Sequence, residues 1–161
     1  MHKVEEYSLY DIEDVALYVL NILSQDNKEI SAMKLQKICF YIQSWYIAKN
    51  GRPLFKHDFQ AWRYGPVSPR LYSYHRQKVT ISSNDNNIQG NAKNISKEDQ
   101  KFIESIVKIY GRYTGLQLSD MSHKQDPWKN ARAGISKDAP SQNEIKIDSI
   151  KEYFSQFLNS K

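Results

Sequence analysis

Asp120 and His123 stand three residues apart in LSDMSHKQDPW, residues 118–128. On a helix this spacing puts both side chains on one face. There a carboxylate can orient a histidine acting as general base, or the two can supply part of a metal's ligand set. A zinc centre needs three or four ligands, and His2, His57 and His75 have no second histidine or cysteine three or four residues away. The same pair serves equally well to satisfy buried backbone groups where two short helices meet. Cys39, the single cysteine, falls within an apolar segment and reads as a small buried hydrophobe rather than a nucleophile. No GxGxxG, GxxxxGK[ST], HExxH or GxSxG pattern occurs, so dinucleotide, P-loop, zincin and hydrolase-elbow chemistry lack their usual sequence support. The spacing therefore gives no cofactor, no metal site and no assigned catalytic residue.

The aromatic content points to recognition instead. FQAWRYGPVSPRLY, residues 59–72, crowds rings, arginines, a glycine and prolines together. Tyr10, Tyr18, Tyr41, Trp45, Tyr46, Trp62, Tyr64, Tyr72, Tyr74 and Trp128 are more polar-tipped rings than one small core is expected to bury. Tyr, Trp and Arg combine large contact area with a hydrogen-bonding group, which is why they dominate binding hot spots.

The elements that must position these residues are mostly helical. Ile12, Val15, Ala16, Val19, Ile22 and Leu23 form one stripe, with Asp11 as N-cap and Glu13 and Asp14 complementing the helix dipole. A longer helix is expected from Ser31 to Asn50, with Leu35, Ile38, Cys39, Ile42, Trp45 and Tyr46 on its stripe and Gly51 as its left-handed C-cap. RPLF reads as an extended connector, since Pro53 biases Arg52 away from helical angles. Residues 59–64 alternate as a short strand that stops at Gly65 and Pro66, and Ser68 and Pro69 then open a short helix as N-cap and N1. TISSNDNNIQGNAKN, residues 80–94, reads as an exposed, mobile loop. Helices follow from Ser96, from the Thr114/Gln117 capping box and from Asp126-Pro127, and EIKI alternates as a brief strand. Asp148 is expected to cap a last helix with Ile150, Tyr153, Phe154, Phe157 and Leu158 on one face. The fold class is α+β, a predominantly α-helical single domain over residues 1–161, with about five to seven helices and a small two- or three-stranded antiparallel sheet.

Size and charge set outer bounds. A chain of 161 residues buries a sizeable core without disulfides. The N-terminal MHKVEEYSLYDIED has acidic residues where a signal peptide needs a basic and an apolar stretch, and no membrane span is evident, so a cytoplasmic location is expected. The net charge of +5 is spread along the chain with no run of four or more Lys or Arg, which argues against nucleic acid as the partner.

Three blocks, taken together, resemble a known family. MKLQKICFYIQSWYIAKNGRPLF at 33–55, FQAWRYGPVSPRLY at 59–72 and LSDMSHKQDPWKNAR at 118–132 are similar to the Panacea domain, also called the SocA-like antitoxin or phage-associated GepA family. The likeness extends into IKEYF of the last helix. The resemblance implies an antitoxin, often carried by prophages, that neutralises a cognate protein toxin encoded nearby by direct contact. One founding member delivers its toxin to a ClpXP-type protease, a role that no motif in this chain distinguishes. By position, Lys34, Leu35, Lys37, Tyr41, Trp45, Trp62, Tyr64, Gly65, Pro66, Val67, Asp120, His123, Pro127 and Trp128 match the family signature. Leu35, Gly65, Pro66, Pro69 and Pro127 are expected to be structural. Tyr41, Trp45, Trp62, Arg63, Tyr64, Asp120, His123 and Trp128 are the candidates for lining a toxin-binding groove.

Overall fold

One helix organises the molecule. α2, Ala32–Asn50, buries residues on every side, including the polar Gln36, Lys37, Gln43 and Ser44 as well as its apolar stripe. A helix enclosed all round is a core helix, so its neighbours must wrap it. In the computed structural model, which describes residues 9–25, 28–56, 58–84 and 87–158, α2 packs against α1 (Ile12–Leu23), α4 (Lys97–Tyr110), α5 (Gly115–His123) and α7 (Ile147–Ser155). The remaining helices are α3 (Pro69–His75) and α6 (Asp126–Ala131). His2, His57 and residues 1–8 of the N-terminal segment tested for a signal peptide lie outside the described residues. Both ends of α2 follow the sequence: the Ser31 side chain accepts from Lys34 N, and Gly51 closes the helix at φ 77°.

Two buried glutamines fasten flanking segments onto α2. Gln43 Oε1 accepts from Leu54 N at 2.8 Å and Phe55 N at 3.2 Å, and its amide donates to Phe55 O at 2.9 Å. One side chain thereby supplies partners for the RPLF connector that lies against α2, where bare backbone groups would be costly. Gln36 does the same one stretch later, accepting from Ser68 N at 2.8 Å and donating to Ser68 O at 3.2 Å. Around them, Phe40 meets Tyr41, Phe59 and Phe154 edge to face, at centroid distances from 5.3 to 6.4 Å.

The β structure is two separate two-stranded antiparallel sheets. β1 (Ile30–Ser31) pairs with β4 (Thr80–Ile81), and β2 (Gln60–Trp62) with β3 (Gly65–Val67). The chain does not stop being a strand at Gly65. It turns at Arg63 and Tyr64, and Gly65–Val67 returns alongside β2 with Trp62 opposite Gly65. Ser68 then caps α3 with Pro69 in its first turn, as expected. The brief strand expected at EIKI reduces to a single bridge, Gln60 to Glu144, flanked by Ala61 N to Asn143 O and Ile145 N to Phe59 O.

Several expectations need correction. The 80–94 stretch is exposed at most of its described positions, as expected, but it is not all loop. It contributes β4, buries Ile81 and Ile88, and is tied to α1 by Asn91 N and Asn94 Nδ2 donating to Asp14; residues 85 and 86 lie outside the described residues. Asp11 occupies the N-cap position of α1 without a side-chain cap bond, and Gln125 and Lys146, not Asp126 and Asp148, precede α6 and α7. α7 ends at Ser155, so Phe157 and Leu158 fall beyond it and are exposed. Glu13 stands in the first turn of α1 as expected and is also buried: Arg70 Nε and Nη2 grip its carboxylate at 2.6–3.2 Å and Tyr74 Oη donates at 3.0 Å.

Candidate functional site

The β2–β3 hairpin stands over the N-terminal half of α2, with Lys37 beneath Gly65. Gly65 has φ +117°, and a Cβ there would sit 2.5 Å from Lys37 Cε and 2.9 Å from Ser122 Oγ. Only glycine combines that backbone angle with that close approach. The carbonyls of the hairpin are claimed by α5, α6 and the residue that follows α6. Ser119 Oγ donates to Tyr64 O at 2.6 Å, Trp128 Nε1 to Trp62 O at 2.8 Å, and Arg132 Nη1 to Ala61 O at 2.9 Å. Arg132 Nη2 also donates to Ser136 O at 2.8 Å, to Lys137 O at 3.3 Å and to Ala139 O, so one buried guanidinium organises the loop after α6. Its carbon lies 4.8 Å from the centre of the Trp128 ring, and the His123 ring packs on Trp128 at 4.2 Å with a 32° tilt.

Beneath the hairpin opens a pocket of about 410 Å³. Its lining is Met33, Gln36 and Lys37 from α2, Trp62, Arg63, Tyr64 and Val67 from the hairpin, Tyr72 and His75 from α3, and Pro140 to Gln142. Trp62 and Tyr72 meet edge to face at 5.0 Å and form one wall. Arg63 lies over the Tyr64 ring at 5.1 Å and donates to Asp138 O at 3.2 Å. Lys37 is only 1% exposed, and burial brings its amine down to about 7. His75 Nε2 lies 3.0 Å from the Gln36 amide nitrogen, which can only donate, so the imidazole accepts there. Burial also pushes the His75 pKa below its ordinary value, with the Lys37 charge adding to the effect.

The candidate residues divide between this pocket and the interior. Tyr41 is fully buried, stacked on Tyr110 at 4.2 Å, and its hydroxyl donates to Gln125 Oε1 at 2.8 Å. Trp45 is half-buried, donating to Tyr110 Oη at 2.8 Å and meeting Phe154 edge to face. Trp128 is buried against the hairpin. Tyr41 is a core residue, Trp45 packs partly buried against the core, and Trp128 also lines the cleft that holds Asp120 and His123. Trp62, Arg63 and Tyr64 line the pocket, with Tyr64 55% exposed. The excess of rings is absorbed mostly by packing, because Tyr41, Tyr46 and Tyr110 sit in the core and Tyr10, Tyr18, Tyr74 and Tyr153 lie partly buried against it.

Asp120 and His123 are brought to one cleft but are not assembled for catalysis. Asp120 is exposed and no hydrogen bond joins it to His123, whose Nε2 is buried without a partner. Burial lowers the His123 pKa, and the charges of Lys137 and Lys37 add to this against the Arg63 backbone and Asp120. Among the described residues, no group of three or more His, Cys, Asp or Glu is placed to hold a metal. Cys39 is buried, and burial raises its thiol far above the range where a thiolate forms.

Gln36, Lys37 and Arg132 are the residues that pattern reading gave no role. A helix read as one apolar stripe assigns its polar positions to solvent, and only the enclosure of α2 on every side reverses that.

A pocket walled by the AWRYGPV hairpin, floored by the KLQK helix and buttressed by the DMSH and DPW segments joins the three sequence blocks into one unit. The antitoxin SocA-like, Panacea domain family matches residues 35–129, and the chain belongs to that family. Antitoxin SocA of Caulobacter vibrioides (strain NA1000 / CB15N) is 30% identical over 128 residues, spanning 73% of this chain and 68% of that protein. No solved structure matches the chain. Among the described residues, no helix is long and apolar enough to cross a membrane.

Proposed function

We propose that this protein is an antitoxin that neutralises a cognate protein toxin by direct, non-catalytic contact through the face around the hairpin. One observation carries the reading beyond family membership. The three most exposed large apolar side chains among the described residues are Val79 at 83%, Leu116 at 65% and Tyr64 at 55%. All three are anchored to the same end of the molecule. Val79 O accepts from Ala32 N at the start of α2, Gly115 beside Leu116 packs against Met33 and Lys34, and Tyr64 stands on the rim of the pocket that Met33 also lines. Exposed apolar side chains at this end, with Arg63 stacked on Tyr64, have the character of a protein-binding hot spot, while Ile109 on α4, Ile147 on α7 and Phe157 and Leu158 beyond it are exposed too.

The rival reading, a hydrolase or nuclease acting through Asp120 and His123, has a partnerless, buried imidazole nitrogen and an exposed carboxylate that does not orient it. The test is coexpression with the product of a neighbouring open reading frame. That product is expected to arrest growth alone, to be harmless with this protein, and to copurify with it. A neighbour that is not toxic, or protection without a complex, defeats the reading. Whether a protease of the ClpXP type then removes the toxin is read from toxin levels in the same cells: constant levels mean sequestration.

A further inference from the structure

The pocket under the hairpin has properties that contact with a protein partner does not call for. Lys37 is buried to 1% exposure at its floor, and its stem lies directly under Gly65. None of the described residues is hydrogen-bonded or ion-paired to its amine, which is not fully enclosed and so reaches the pocket space. A lone buried cation is among the costliest groups a fold can carry, and it is tolerated when a counter-charge can reach it. The neighbouring polar groups are already engaged: Gln36 is held by Ser68 and His75, and Ser122 Oγ donates to Ser119 O. The fold also holds Gly65 at φ +117° where any side chain would displace the lysine stem.

We propose that this pocket binds a small organic monocarboxylate, its carboxylate paired with Lys37 Nζ and its apolar body against Trp62, Tyr72 and Val67. The volume of about 410 Å³ lies within the range of small-molecule sites and exceeds what one acidic side chain of a partner would fill. The charged or titratable groups facing it are Lys37 from α2, Arg63 and Tyr64 from the hairpin and Tyr72 and His75 from α3, with His123 of α5 close enough to feel the Lys37 charge. Among the described residues no acidic side chain lines it, and residues 140–142 bring no charge. A single deep cation without a cradle of backbone amides suits one negative charge. A phosphate would bring a second charge with no deep partner. The site stands on the pocket's own chemistry, independently of any toxin.

The ligand must meet a protonated amine, so affinity is greatest below the pH at which Lys37 loses its proton and falls above it. The experiment is calorimetric titration of the whole chain with 3-phenylpropionate and, as a neutral match, 3-phenylpropan-1-ol, with intermolecular NOEs to locate the probe. At about pH 6 saturable binding of the acid is expected, with contacts to the Trp62 and Tyr72 rings and affinity about tenfold above that of the alcohol. Lys37→Met should remove that preference while leaving alcohol binding in place, which separates loss of charge from loss of fold. Raising the pH from about 8 to about 9 should weaken the acid about tenfold and leave the alcohol unchanged. Equal affinity for acid and alcohol, an undiminished preference in Lys37→Met, contacts elsewhere, or no binding at millimolar concentration would each overturn the proposal.

Discussion

Replacing Lys37 by methionine should make the protein more stable, and by an amount that depends on pH. An unfolded lysine titrates near 10.5, whereas burial brings Lys37 in the fold down to about 7. Between those values the unfolded chain holds a proton that the folded chain has released. Stability therefore rises with pH through this window, and the penalty is complete at and below about pH 7. Each pH unit is worth about 1.4 kcal/mol, so the penalty approaches about 5 kcal/mol at neutral pH. Methionine keeps an unbranched stem of similar length, places no charge under the hairpin, and leaves Gly65 its clearance. Urea unfolding of wild type and Lys37→Met at about pH 6, 7.5 and 9 measures the difference, and subtraction cancels groups that titrate alike in both. The variant should be more stable by several kcal/mol at pH 6 and 7.5, with the gap closing by about 1.4 kcal/mol per unit above about pH 7. A gap that does not change with pH would mean that Lys37 keeps its proton and its solvation. A less stable variant would mean that the amine has a partner, and either result refutes the reasoning.

Other variants probe the supports of the site. Gly65→Ala forces a Cβ to 2.5 Å from Lys37 Cε at φ +117° and should cost about 2–4 kcal/mol, part of it recovered when Lys37→Ala is added; a purely additive double variant in thermal unfolding would count against the contact. Arg132→Met strips the donor from the carbonyls of Ala61, Ser136, Lys137 and Ala139, and a loss of about 3 kcal/mol is expected by urea unfolding. For Glu13, burial opposes ionisation but the bonds from Arg70 and Tyr74 outweigh it and hold the carboxyl below its ordinary value. The deficit of Glu13→Gln, about 2 kcal/mol, should therefore be full at neutral pH and close as pH falls through and below the ordinary carboxylate range; a deficit that persists in acid would show that packing rather than charge is lost.

What could be read beforehand follows from how local the cause was. The capping of α2 by Ser31 and Gly51, the Ser68-Pro69 start of α3 and the Thr114/Gln117 box depend on residues within one turn, and the structure shows all of them. The hairpin was half visible: alternation marked β2, but Gly65-Pro66 resembled a stop, because what continues the chain as β3 is the lysine beneath it and Ser119, Trp128 and Arg132 holding its carbonyls from far along the sequence. Polar-rich residues 80–94 looked solvated for the same reason. Their partner, Asp14, stands in the first turn of α1 as expected and also reaches across to Asn91 and Asn94, which no local pattern shows. At the candidate site the types were legible and their allegiance was not. Tyr41 and Trp45 share the chemistry of Tyr64, yet only Tyr64 stands at a turn and is more than half exposed, with Arg63 over its ring.

The reading of the hairpin end as the toxin-binding face is tested most directly by Leu116→Asp and Tyr64→Asp, scored for rescue and copurification against the toxic neighbour. Both side chains are already exposed, so neither change should disturb folding. Lys151→Glu, beside Gly51 at the opposite end of α2, serves as the distant control. The face is right if both aspartate variants lose rescue and complex while Lys151→Glu keeps them. Retention by both aspartate variants, or loss only at Lys151, would place the interface elsewhere.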